Sequence, residues 1–161
     1  MTRTVMREGS VEVTVDASPD QVWAVLTDVT RIGEWSHECK AARWLEGSPA
    51  APVVGARFRG RNKAGLVRWS RPCTVTEADV ARRFAYRTKG SLADDSTEWV
   101  FTLEPSGSGT RLAQSFRVLS LARWAEILIA RLVPQHQDRR ADLTADLERL
   151  GELAGASQGQ P

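Results

Sequence analysis

The stretch Ser18-Pro19-Asp20-Gln21-Val22-Trp23-Ala24-Val25-Leu26-Thr27-Asp28, closed by Gly33-Glu34-Trp35-Ser36, decides how the rest of the chain is read. Ser18 is an N-cap residue, Pro19 suits the first helical position, and Gln21 three residues on completes a capping box, so a helix starts at Pro19. Val22, Trp23, Val25 and Leu26 form its apolar stripe, and Asp28, Thr30 and Gly33 end it after two to three turns. Before it, Val11, Val13 and Val15 alternate with Glu12, Thr14 and Asp16, the period of a half-buried strand. After it come about eighty residues of strand patterns and then a single long helical pattern.

The strand region carries a basic hairpin. Asn62-Lys63-Ala64-Gly65 reads as its turn, which would pair Arg61 with Leu66 and Phe58 with Trp69. Phe58, Gly60, Val67 and Trp69 then share one face, and Arg57, Arg59, Arg68 and Ser70 the other. The same parity carries Arg71, Cys73 and Val75 to the apolar side unless Pro72 marks a bulge. Arg59 opposes Arg68 in this register. No acid falls between Glu46 and Glu77, whereas Arg57, Arg59, Arg61, Lys63, Arg68 and Arg71 do, so hairpin 57–71 is a candidate surface for an anionic partner or membrane. The alternative is a solvated face balanced by acids from other strands.

Further on, Trp99, Phe101 and Leu103 alternate with polar neighbours before the turn Pro105-Ser106-Gly107-Ser108-Gly109. Leu112, Gln114 and Phe116 continue the pattern, with Gln114 the polar member that either wants a hydrogen-bond partner or sits on an exposed face. From residue 121 to 151 the period becomes helical. Leu121, Trp124, Leu128, Leu132, His136, Leu143, Leu147 and Leu150 form a stripe that should cover the sheet, and Pro134 should kink or split it. The apolar run 118–133 holds Arg123, Glu126 and Arg131 and is too short to span a membrane.

At 161 residues, 42% hydrophobic, 26% charged and net charge +2, the chain suits one globular domain over 1–152 followed by a small, polar, disordered tail at 153–161. Residues 1–10 carry Arg3 and Arg7 and no apolar run, so no secretory signal is expected and the cytoplasm is the expected location. Cys39 and Cys73 then remain free thiols. With His37 and His136 they lack the close ligand spacing of a metal site, and neither a metal nor a cofactor is expected. No recognition motif accompanies the charge, so no nucleic acid is expected as a partner.

The Val22-Trp23 helix, the Gly33-Glu34-Trp35-Ser36 turn, Val54-Gly55-Ala56-Arg57-Phe58 entering a strand, and Trp99 through Pro105 followed by Gly109-Thr110-Arg111-Leu112 together resemble the START-like (SRPBCC) superfamily, in particular its polyketide cyclase/dehydrase-type members. The likeness runs from about residue 11 to 150. It implies an α+β helix-grip fold: a curved antiparallel sheet wrapped around a long C-terminal helix, two short helices after the first strand, and a cavity between sheet and helix. It implies binding of lipids, polyketides, hormones or other apolar molecules, and brings no fixed catalytic motif.

On that fold Trp35 stands where a cavity entrance often lies, as a gate or as a plug that anchors its loop. Trp69 and Trp99 line or fill the cavity, and Gln114 is a polar group on the same inner face. Arg71 is either a forked anchor for a ligand carbonyl or carboxylate or half of an internal salt bridge. His136 is a packing residue or a proton carrier. The favoured function is non-catalytic binding of a small apolar ligand by a monomer or homodimer. One alternative is a cyclase or dehydratase in which Arg71 polarises a carbonyl and His136 moves a proton. Another is a protein-interaction or regulatory module using the basic hairpin.

Overall fold

The computed structural model describes residues 3–90 and 94–157. Strand β1 (Glu8–Val15) leads into helix α1 (Pro19–Thr27) and a 3-10 turn (Val29–Glu34). Six strands follow: β2 (Cys39–Trp44), β3 (Arg57–Ala64), β4 (Val67–Asp79), β5 (Arg83–Lys89), β6 (Ser96–Ser106) and β7 (Gly109–Ser120). The chain then forms α2 (Arg123–Leu132), a second 3-10 turn (Pro134–Gln137) and α3 (Arg140–Ala156). All seven strands join one antiparallel sheet in the order β1-β7-β6-β5-β4-β3-β2. This is the α+β helix-grip architecture. Among the described residues no helix is long and apolar enough to cross a membrane.

Local chemistry sets α1 as expected. The Ser18 hydroxyl accepts from the Gln21 amide at 3.3 Å, and the Gln21 side chain accepts from the Ser18 amide at 2.7 Å, so two orphan donors of the first turn are satisfied. Val22, Val25 and Leu26 are buried against a core that also takes Leu147, Leu150 and Ala154 from α3. Trp23 packs edge-on to Phe84 at 5.9 Å and Trp44 edge-on to Phe58 at 5.8 Å.

The basic hairpin keeps its faces but not its register. Its turn is Gly65-Leu66, with Gly65 at φ +59°, the left-handed backbone a two-residue loop needs at its first central position. Ala64 pairs with Val67 and Phe58 with Cys73 instead of Trp69, a slip of four residues from the expected pairing. Because four is even, no side chain changes face, and Phe58, Gly60, Trp69, Arg71 and Cys73 all remain inward. Arg59 does not oppose Arg68. It stands beside Pro72 and Arg43, while Lys63 faces Arg68. Pro72 makes no bulge; the irregularity in β4 falls between Val75 and Glu77, against β5.

Two further expectations need correction. Pro134 splits the C-terminal helical region, and the apolar stripe does not continue in phase across the break. Trp124, Leu128 and Leu132 are 59%, 48% and 54% exposed, and α2 instead turns Ala125, Glu126 and Ala130 inward. Once the 3-10 turn uncouples α2 from α3, α2 is free to rotate, and the Arg7–Glu126 ion pair at 2.7 Å fastens its polar residue to the N-terminal segment. Residues 153–156 of the expected tail also belong to a helix. Helix α3 continues through Ala156 with Ala154 buried and Leu153 packed on the core, because these small and apolar side chains still face the sheet. Residues 158–161 of that expected tail lie outside the described residues.

Candidate functional site

Between the inner face of the sheet and α3 lies a cavity of about 130 Å³. Its floor comes from β3 to β7, one wall from the segment Trp35 to Cys39, and its roof from Leu121 and Ile129 of the α2 region with His136, Arg139, Leu143 and Asp146. Trp35, Trp69, Arg71, Trp99, Gln114 and His136 all line it. The strand parity that turns Phe58 and Trp69 inward also turns Arg71, Trp99 and Gln114 inward.

The apolar surface is largely aromatic. Tyr86 meets Phe58 edge-on at 5.2 Å and stacks on Phe101 at 6.3 Å, and Trp35 meets Phe101 edge-on at 6.1 Å. Burial pushes the Tyr86 phenol well above its ordinary pKa, so it is a neutral hydroxyl at physiological pH. Burial likewise raises Cys39 to about 11 and Cys73 to about 12, which leaves both as neutral thiols with little nucleophilic character. They stand on β2 and β4 with β3 between them.

The polar wall is built from residues far apart in sequence. Glu38 accepts from Arg139 Nη2 at 2.6 Å and makes a short contact with His136 Nε2. Burial alone would raise the Glu38 carboxyl, but the His136 hydrogen bond and the charges of Arg139, His136 and His37 outweigh it and hold the pKa at about 2. The Arg139 guanidinium also lies over the rings of Trp99 and Phe116, at 5.0 and 5.5 Å. Trp69 meets the His136 ring edge-on at 6.0 Å. A second pair joins His37 to Asp146. The His37 amide donates to Oδ1 at 2.9 Å and Nδ1 donates to Oδ2 at 2.7 Å, leaving Nε2 at 3.8 Å from Asp142. Arg149 contacts the same Asp146 and donates from Nε to the Trp35 carbonyl at 3.0 Å.

Arg71 resolves toward the internal salt bridge. Its Nη1 closes on Asp95 Oδ2, an ion pair by proximity whose approach is not aligned for a hydrogen bond, so the charge is answered while one N–H is not. Gln114 is only 4% exposed, which removes the reading of it as a surface residue. Among the described residues its Oε1 has no partner, nor do Trp35 Nε1 and Arg139 Nε. Such orphans are uncommon in a folded interior, and these three belong to residues that line one cavity.

Glu38, Asp95, Arg139 and the His37–Asp146 pair are absent from the candidates drawn from the sequence. Glu38 and Arg139 are 101 residues apart, and no local spacing connects them. Asp146 did leave a signal: it sits three residues after Leu143 and one before Leu147, on the face α3 buries. A carboxylate on an apolar stripe requires a partner.

Gly33 positions this wall. A Cβ there would stand 2.1 Å from the Lys40 carbonyl oxygen, which is backbone and has no rotamer to yield. Gly33→Ala should therefore cost about 2 kcal/mol or more by overpacking and disturb the Trp35 to Glu38 segment. Chemical denaturation checks this, and a loss below about 0.5 kcal/mol, the scale of an ordinary surface change, contradicts it.

Over residues 6–153 the chain matches the family described as polyketide cyclase / dehydrase and lipid transport. No curated protein matches the sequence. Among solved structures, the Polyketide_cyc-like protein Cgl2372 from Corynebacterium glutamicum is 26% identical, with a TM-score of 0.55 over 94% of this chain and 91% of that one. Protein MLL2253 from Mesorhizobium loti is 20% identical, with a TM-score of 0.66 over 96% of this chain and 100% of that one. The di-domain ARO/CYC StfQ from the steffimycin biosynthetic pathway is 12% identical with a TM-score of 0.71, and 99% of this chain spans 54% of it. The last two likenesses are of fold alone.

Proposed function

Because the chain belongs to the polyketide cyclase / dehydrase and lipid transport family, we propose that it binds a small, mainly aromatic or apolar molecule carrying at least one hydrogen-bond donor and one acceptor. The observation that carries this reading is an aromatic cavity lined by three residues that each hold an unpartnered polar atom. Gln114 Oε1 accepts, Trp35 Nε1 and Arg139 Nε donate, and none has a partner among the described residues. A hydroxylated or carbonyl-bearing ring meets both needs and stacks among Tyr86, Trp35 and Trp99.

The cavity of about 130 Å³ is close to the volume that holds benzene in a dry engineered cavity. Ligand pockets for larger molecules begin at roughly 300 Å³. A fused-ring or acyl ligand therefore requires the cavity to expand.

Native mass spectrometry of the purified protein, followed by titration with an environment-sensitive apolar probe, tests the reading. The probe should quench tryptophan fluorescence. Gln114→Leu should leave stability unchanged or raise it by up to about 1 kcal/mol, because it removes a buried orphan acceptor. The same change should weaken a phenolic ligand about fivefold while sparing a purely apolar one of equal size. Equal losses for both ligands, or no probe uptake by folded protein, would defeat the proposal.

One observation favours a second reading, a cyclase or dehydratase-type enzyme. His37 holds its Nδ1 proton on Asp146 and lines the cavity, as an acid–base imidazole would. Under this reading His37→Gln or His136→Gln abolishes turnover of a cyclisable polyketide mimic while its binding survives. We expect binding without turnover.

A further inference from the structure

We propose that the outer face of α2, together with the tip of the β3–β4 hairpin, docks on the surface of an anionic lipid bilayer. This goes beyond the cavity and does not depend on what the cavity holds.

Trp124, Leu128 and Leu132 recur every four residues and are each about half exposed, so α2 shows solvent a continuous apolar stripe one tryptophan and two leucines long. Leu66, at the hairpin turn, is 100% exposed. Packing explains neither feature, since large apolar side chains grouped on one surface usually mark an interaction site. The two features are neighbours: Lys63, Ala64 and Gly65 border one groove with Gln135, in the 3-10 turn that follows α2.

The charges around them select the occupant. Arg123 and Arg131 are the exposed charges of α2, whose one acid, Glu126, is turned inward onto Arg7. Lys63 and Arg68 face each other across the hairpin behind Leu66. Among the described residues none of these four cations is in an ion pair. Apolar side chains with a tryptophan at headgroup depth, ringed by unanswered cations, match an anionic bilayer surface. A second copy of the chain fits less well. An isologous contact would set Arg123 and Arg131 against the same cations of the partner, with no exposed acid on α2 to answer them. The inner side of α2 carries Ile129 on the cavity roof, so the helix that meets the lipid also borders the cavity.

The test is vesicle flotation at low salt with phosphatidylcholine alone and with phosphatidylcholine mixed with phosphatidylglycerol. The wild-type chain should float with the anionic vesicles only and be released by added salt. Leu128→Asp should reduce partitioning at least about tenfold, from the loss of one inserted leucine and the gain of an anion. Its melting temperature should not change, which separates lost docking from lost folding. Arg123→Glu with Arg131→Glu should do the same, and Arg57→Glu with Arg59→Glu, on the outer sheet face, should have little effect. Absence of wild-type binding overturns the proposal. So does binding lost in the sheet variant but kept in the α2 variants, or a concentration-dependent dimer that Leu128→Asp abolishes.

Discussion

The Glu38→Gln protein is expected to melt roughly 10 °C below the wild type at neutral pH. Glu38 is the shared acceptor of Arg139 and His136, whose side chains are 12% and 15% exposed. Glutamine keeps the shape and loses the charge, so Arg139 remains in a water-poor wall with only aromatic faces to answer it. Breaking a buried pair from one side costs about 3 to 5 kcal/mol. For a chain of this size each kcal/mol shifts the melting point by about 2 to 4 °C.

The pH dependence supplies a signature that a packing defect would not. Folding lowers the Glu38 pKa from 4.5 to about 2. A carboxylate depressed in the native state contributes stability above its unfolded pKa and loses it as pH falls through the folded one. The contribution is about 3 kcal/mol, present above pH 4.5 and lost on the way to about pH 2. The gap between wild type and Glu38→Gln should therefore be widest near neutrality and narrow across that window. Thermal melts from pH 7 to 2 would show it, and a gap constant with pH would defeat the assignment of Glu38 as the ionised centre of the wall.

The second large effect is expected from Phe101→Ala. Phe101 is fully buried on β6, and the rings of Trp35 and Tyr86 lean on it from the cavity side. Truncation removes the transfer energy of a phenyl ring and leaves a void that β6, held between β5 and β7, cannot collapse to fill. The cost is about 4 kcal/mol. Since Trp35 and Tyr86 border both the void and the cavity, the two spaces should merge, and benzene should restore part of the lost melting temperature by binding the native state alone. A fall of only a degree or two would mean that the aromatic cluster repacks.

What could be read along the chain and what could not separates by range. The capping box at Ser18 and Gln21 involves atoms three residues apart, so α1 starts where its composition says. The alternation of Phe58, Trp69 and Trp99 with polar neighbours assigns their faces even where the hairpin pairing slips, because strand parity survives any even shift, whereas the face of Gln114 is settled only by its burial. Parity accounts for Trp69, Arg71 and Trp99 lining one cavity; Trp35 and His136 reach it from 3-10 turns, where parity says nothing. The exposed stripe of α2 was misplaced for the opposite reason. Its periodicity was real, but periodicity fixes only which residues share a face, and the break at Pro134 left that face free to turn outward.

The sequence by itself determined the element order, the start of α1, the faces of β3, β4 and β6 and, through the resemblance it carries, the helix-grip architecture, because each of these follows from spacing within a few residues or from their succession. Only the tertiary structure decided the rest. It placed β1 beside β7, joined Glu38 to Arg139 and His136, joined His37 to Asp146, closed Arg71 on Asp95, and left Gln114 Oε1 and Trp35 Nε1 buried with no partner among the described residues. Those pairings bridge tens of residues of intervening chain, and a charge or an amide carries no local mark of which distant group will satisfy it; that is settled only when the sheet curls and α3 is laid across it.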